Sequence, residues 1–158
     1  MNYKKILLVL FLSIFISGCG LTQSKDKVPM DKLGSDNLYN YQNESLEFGL
    51  DLPPEFEYYQ TQRKRAQNGD YTDIEFFVPT NDEKADTEIP SYAKVIVVRV
   101  FPESGWDNVD KENSIYKKVG EGNGNVYAIK FWQEAPKDWQ DKWSREMQER
   151  ILQSFYVN

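Results

Sequence analysis

Tyr58-Tyr-Gln-Thr-Gln-Arg-Lys-Arg-Ala-Gln-Asn-Gly-Asp-Tyr-Thr-Asp-Ile-Glu-Phe-Phe-Val78 is the stretch on which the fold of this chain turns. Its two ends, Tyr58–Arg65 and Tyr71–Val78, are strand-like runs that flank Asn68-Gly69. Asparagine and glycine both tolerate a positive φ, the condition for a tight connection between antiparallel strands. The segment predicts a β-hairpin, and antiparallel pairing becomes the expectation to carry outward in both directions.

Upstream, Leu46, Phe48, Leu50 and Leu52 alternate with Glu47, Gly49 and Asp51, the period-two pattern of a half-buried strand, which Pro53-Pro54 ends. Downstream, Asn81–Glu88 is an acidic loop leading to Tyr92–Phe101, whose centre Val95-Ile96-Val97-Val98 predicts the most buried strand. Ser104–Asn113 predicts a short helix or turn with Trp106 and Val109. Ile115–Val119 and Val126–Trp132 predict another strand pair across a loop, Gly120–Asn125. Trp139, Trp143, Met147 and Ile151 then recur at four-residue spacing, and Leu152 and Phe155 widen the stripe, which predicts an amphipathic helix over Pro136–Gln153. Pro136 suits its first turn, and Asp138 suits the positive end of its dipole. The expected fold class is α+β, an antiparallel sheet of about 5–7 strands with a C-terminal amphipathic helix packed on one face.

The first twenty residues follow another logic. Lys4 and Lys5 precede the apolar run Ile6–Ile16, interrupted only by Ser13, and Ser17-Gly18 lead into Cys19, the single cysteine of the chain. Such a run spans about 16 Å as a helix, about half the hydrocarbon thickness of a bilayer, so it is too short for a permanent span. Ile16-Ser17-Gly18-Cys19 resembles the lipobox of bacterial lipoproteins. The resemblance implies a diacylglyceryl thioether on Cys19 and cleavage after Gly18; an ordinary secretory signal with an incidental cysteine is the other reading. Stable anchoring takes about two acyl chains, which a diacyl group supplies. Gly20–Leu38 is polar, lacks aromatic residues and has no hydrophobic period, so it reads as a flexible tether with a root-mean-square span of about 25 Å and a stretched limit of about 65 Å. The expected organisation is a signal peptide over 1–18, a lipidated cysteine and tether over 19–38, and one globular domain over 39–158. In lipoproteins of two-membrane bacteria an aspartate after the cysteine favours inner-membrane retention. Gly20 stands there in this chain, which implies the outer membrane in such a host and the outer surface in a host with one membrane.

The net charge is −6 at pH 7, and loss of Lys4 and Lys5 with the signal takes it to −8. An acidic domain has no basic field to steer a polyanion, so nucleic acid is not expected as a partner. The expected partners are the lipid bilayer, through acylated Cys19, and an envelope protein or polymer.

Tyr41-Gln42-Asn43 followed by Leu46–Pro53 is similar to the opening of PsbP-like domains, and Ile151–Val157 is similar to their closing helix end and last short strand. Pro54 and Phe56 depart from the pattern, where such domains often carry a proline and then a tryptophan-containing turn. The resemblance implies a binding or accessory module and attaches no residue-level site to it.

The sequence has no histidine, which removes Ser-His-Asp triads, Cys-His dyads and His-ligated zinc, and its one cysteine is committed to lipid. No catalytic residues, metal ligands or cofactors are assigned. Gly120–Asn125 is a hairpin loop and not a phosphate cradle, because a strand follows it and Glu121 repels phosphate. Asp82, Glu83, Asp86 and Glu88 carry oxygens that calcium accepts, but without EF-hand spacing and with Lys84 among them, so a solvated loop is expected. Arg63, Lys64 and Arg65 form the densest basic cluster. It is either an anionic-surface contact or a charged edge strand that discourages aggregation. Trp106, in a polar stretch, is the candidate exposed aromatic contact, weighed against loop packing. The expected function is that of a membrane-anchored envelope lipoprotein with a non-catalytic binding or accessory domain; the alternative is a small carboxylate-based envelope hydrolase.

Replacing Cys19 with alanine should move the protein from the detergent phase to the aqueous phase in detergent partitioning, while the circular dichroism of the folded domain stays unchanged. A variant still held in the detergent phase would remove the lipid anchor from the account.

Overall fold

The computed structural model describes residues 33–85 and 87–158. The signal segment, Cys19, most of the tether and Asp86 lie outside the described residues. Leu33–Leu38 closes a small turn in which the Gly34 amide donates to the Leu38 carbonyl.

Strands β1 (Tyr39–Asn43) and β2 (Phe48–Leu52) pair antiparallel, and β2 takes the short strand β8 (Tyr156–Val157) on its other side. The second sheet uses β3 (Gln60–Arg65), β4 (Thr72–Pro79), β5 (Tyr92–Pro102), β6 (Lys117–Gly122) and β7 (Asn125–Phe131) in the order β3-β4-β5-β7-β6. All neighbours in it are antiparallel. Two short helices, α1 (Glu103–Trp106) and α2 (Arg145–Ser154), complete the set. The chain is thus α+β and mostly sheet, but the single sheet under one long helix is corrected to two sheets of three and five strands.

The expected hairpin forms in register, with Gln60 opposite Phe77 and Arg65 opposite Thr72, and Gly69 sits at φ 79° in the connecting turn. The second expected hairpin also forms, with a shorter connection. Its turn is Asn123-Gly124, both at positive φ, so β6 runs on through Gly120 and Gly122 where a loop was expected. Those glycines have a packing reason: a Cβ on Gly122 would meet Val157 Cγ1 at 3.0 Å, and one on Gly120 would lie 3.1 Å from Phe155 and Val157. The side chains of Phe155 and Val157 pack close over β6 there, and any larger residue would have to push them aside.

Strand alternation sorts the five-stranded sheet into two faces. Ile74, Phe76 and Val78 of β4, Ile96, Val98 and Val100 of β5, and Tyr127 and Ile129 of β7 share one face and enter the main core. Tyr41, Phe48, Leu50 and Leu52 of the small sheet meet them there, with Tyr41 against Phe76 and Phe48 against Tyr127. A register shift at Phe76/Phe77 lets Val95 enter the same core as its neighbour Ile96.

The predicted helix over Pro136–Gln153 is also corrected. The four-residue stripe does reach the core, since Trp139, Met147 and Ile151 are buried, but only Met147 and Ile151 lie on α2. Ser144 is extended, at φ −109° and ψ 161°, and its hydroxyl accepts the Met147 amide, so the helix starts there. Trp139 instead sits in a 3-10 turn, Lys137–Trp139, where its indole N–H donates to the Pro79 carbonyl. A buried indole needs such a partner, and reaching it takes this residue off the helix line.

Ser144→Ala removes the cap and should lower stability by about 1 kcal/mol, read as a lower urea midpoint with an unchanged slope.

Candidate functional site

The face of the five-stranded sheet turned away from the main core is where charge collects. Asp73 and Glu75 point there from β4, opposite Arg99 and Val97 of β5, yet they are only 7% and 5% exposed. Charges so far from water must be matched. Arg99 donates through Nε and Nη2 to the two oxygens of Asp73, each at 2.7 Å, in the fork geometry that makes such pairs strong. Its guanidinium lies 3.6 Å from the Tyr71 ring centroid and 4.4 Å from that of Tyr116. Burial pushes the Tyr116 phenol up to about 12. Next along the face, Glu75 accepts from Lys94 at 2.9 Å and has Lys64 Nζ 2.8 Å from its other oxygen. Both lysines also meet Glu88, and their hydrogen bonds, Lys64 first, hold its carboxyl below the usual range.

Beside this ionic row lies a groove of about 650 Å³. Its apolar lining includes Ala93, Val97, Ile115, Phe131 and Trp132, and four lysines stand around it: Lys84, Lys94, Lys130 and Lys137. Two carboxylates, Asp82 and Glu134, also line it.

One wall of the groove is made where segment 80–85 meets segment 136–140, and two aspartates fasten them reciprocally. Asp138 accepts the Thr80 hydroxyl at 2.8 Å and the Asn81 amide at 3.0 Å, its role in place of the expected helix-dipole one. Asp82 accepts the backbone amides of Lys84 and Lys137, both at 3.0 Å, through different oxygens. A single carboxylate therefore fixes the backbone of two rim lysines. These hydrogen bonds, Lys137 first and then Lys84, hold the Asp82 carboxyl below its ordinary value.

The residues singled out from sequence fall elsewhere. Arg63, Lys64 and Arg65 lie on β3, an edge strand. They are split between its faces: Arg63 donates to Ser45 Oγ at 3.0 Å, while Lys64 is held by Glu75 and Glu88. Trp106 is corrected from exposed to buried, at 8% exposure. The α1 turn, fastened by the Glu103 amide to the Gly124 carbonyl, folds its ring edge-on to Phe101 at 5.3 Å, beside Val126 and Ala128. Of the acidic loop, Asp82 and Glu88 are engaged as described, and Asp86 lies outside the described residues. Cys19 lies outside them as well. The lysines of the groove carried no sequence signal, because they come from four separate segments and each reads alone as an ordinary solvated residue.

Asp82 also yields a pH prediction. A carboxyl depressed in the folded state contributes stability that is fully present above its ordinary value of 3.8 and is lost as the pH falls through the lower folded value. Asp82→Asn should therefore flatten the loss of thermal stability below that pH and leave the neutral-to-mildly-acid region parallel to wild type, as measured by melting temperature against pH. No protein-family model matches the chain, and comparison with curated proteins and with solved structures gave no match.

Proposed function

We propose that the chain is a membrane-anchored envelope lipoprotein whose folded domain binds a ligand or partner at the lysine-rimmed groove and performs no chemistry on it. The observation that carries this reading is the state of the carboxylates that line the groove, Asp82 and Glu134, and of those beside it. Asp82 has both oxygens occupied by backbone amides and is held ionised, which suits a structural tie and disqualifies it as a general acid. Asp138 is engaged by Thr80 and Asn81 in the same way. Asp73 and Glu75 are neutralised by Arg99, Lys94 and Lys64. That leaves Glu134 in the groove without a second free carboxylate among the described residues, whereas a carboxylate-based hydrolase works with a pair. The hydrolase alternative is accordingly the weaker proposal.

Anchoring rests on the lipobox residues Ile16–Cys19. With the tether, it holds the groove near one membrane face, in the outer membrane of a two-membrane host or on the outer surface of a one-membrane host. The motifs that resemble PsbP-like domains adjoin one another, since Tyr41–Asn43, Phe48–Leu52 and Tyr156–Val157 form the three-stranded sheet. This adjacency supports treating them as one unit, and the accessory role of such domains is part of the proposal.

A photo-crosslinking residue placed at Gln133, on the groove, should give a discrete adduct in native envelopes; one at Gln67, on the β3–β4 turn, should not. The Cys19→Ala background should lose the adduct. Equal labelling at both positions, no labelling at either, or hydrolysis of glycoside or ester probes that Glu134→Gln abolishes would overturn the reading.

A further inference from the structure

We infer that the groove is a site for a small amphipathic anion, a carboxylate or phosphate head on an apolar body; this rests on the binding reading above and names its ligand class.

Among the described residues four lysines and two acids line the groove, a local excess of lysine in an otherwise acidic chain. Lys94 is neutralised by Glu75 and Glu88. Lys84, Lys130 and Lys137 make no direct ion pair among the described residues, and Asp82 attracts Lys84 and Lys137 only from a longer distance. Lys130 is the most telling. It is half-buried near the end of β7, opposite Val97, and its Nζ lies 5.5 Å from the Tyr116 ring centroid. A cation with a ring face beside it and no ion pair among the described residues has room for a counter-charge. An incoming anion supplies what is missing.

The apolar half of the ligand is set by the lining. Ile115 stands at the margin of the groove with 55% of its surface exposed, unusually for a large aliphatic side chain, and Val97 and Ala93 of β5 close the floor with little exposure of their own. Phe131 and Trp132 also line it, although their rings turn to Trp143 in the main core. The volume of about 650 Å³ admits a small molecule. A bare inorganic anion would leave Ile115 in water, and a neutral apolar molecule would leave the lysines without a counter-charge. The rim is organised before the ligand arrives, because the Asp82 carboxylate already fixes the backbone of Lys84 and Lys137.

Full-length protein in nanodiscs of zwitterionic phosphatidylcholine is titrated with 1-naphthyl phosphate, 2-naphthoate and the neutral 2-naphthalenemethanol, with tryptophan quenching as readout. At least one anion should bind saturably and weaken with added salt, and the neutral compound should bind about tenfold more weakly or not at all, as a screened charge cluster requires. Comparing the phosphate with the carboxylate identifies the head group. Lys84→Gln, Lys130→Met and Lys137→Gln should each weaken anion binding by about two- to fivefold, the range of partly exposed ion pairs. Lys84 and Lys137 are exposed, so their variants report on binding even if Lys130→Met perturbs folding. Equal binding of the neutral compound, no saturable binding of either anion, or unchanged affinity in the Lys84→Gln/Lys137→Gln double variant would overturn the inference. A surviving Gln133 adduct alongside such a result would leave the binding reading standing and remove only the ligand class.

Discussion

Strand β5 is largely buried on both faces, and the rest of the domain is arranged to meet that constraint. Ile96, Val98 and Val100 face the main core, while Val97 and Phe101, pointing the other way, are only 3% and 6% exposed. A strand of this kind must be covered twice. The three-stranded sheet, Trp139 and the apolar side of α2 supply residues to the first core. On the second face the cover is thinner and more polar: Trp106 with Phe101 at one end, Arg99 between two tyrosines in the middle, and the lysine-rimmed groove at the other end. The carboxylates and cations of that face follow from the same constraint, because any charge carried there by β4 loses water and has to find its counter-charge on β5 or β3.

What could be read from sequence was whatever depends on local chemistry. Asn68-Gly69 flanked by strand-like runs identified the β3–β4 hairpin, and the Val95–Val98 cluster identified the central strand. The failures share a cause, which is that a long-range contact outweighed a local pattern. Asn123-Gly124 is as good a turn signal as Asn68-Gly69, but the glycines before it looked like loop, and their purpose, a close crossing by Phe155 and Val157, lies over thirty residues away. Tyr39–Asn43 alternates tyrosine with asparagine and glutamine, weak strand formers, so β1 was missed although Tyr41 is buried. The tryptophans Trp139 and Trp143 kept helical spacing while the side chains of Asp138 and Trp139 were tied to Pro79, Thr80 and Asn81 instead. The groove was invisible for the same reason in stronger form, since no two of its lysines come from one element.

The electrostatics of the molecule are therefore segregated. The overall charge is negative and the ion pairs of the outer face cancel locally, so the positive charge at Lys84, Lys130 and Lys137 acts over a short range. Asp82 links this arrangement to the fold, because the carboxylate that joins two loops also orients the backbone under two of those lysines.

The small sheet has a consequence for how the domain assembles in time. β2 sits between β1, reached by a short turn, and β8, and the Asp51 amide that donates to Ser154 Oγ spans 103 positions of sequence. Closing a loop of that length costs about 4 kcal/mol of chain entropy before any contact offsets it. Nonlocal pairing of this kind is the topology that slows folding relative to helical bundles. It also makes the two ends of the domain one cooperative unit: fraying at β8 uncovers Phe48 and Gly120 together, which couples the stability of both sheets to a pair of residues.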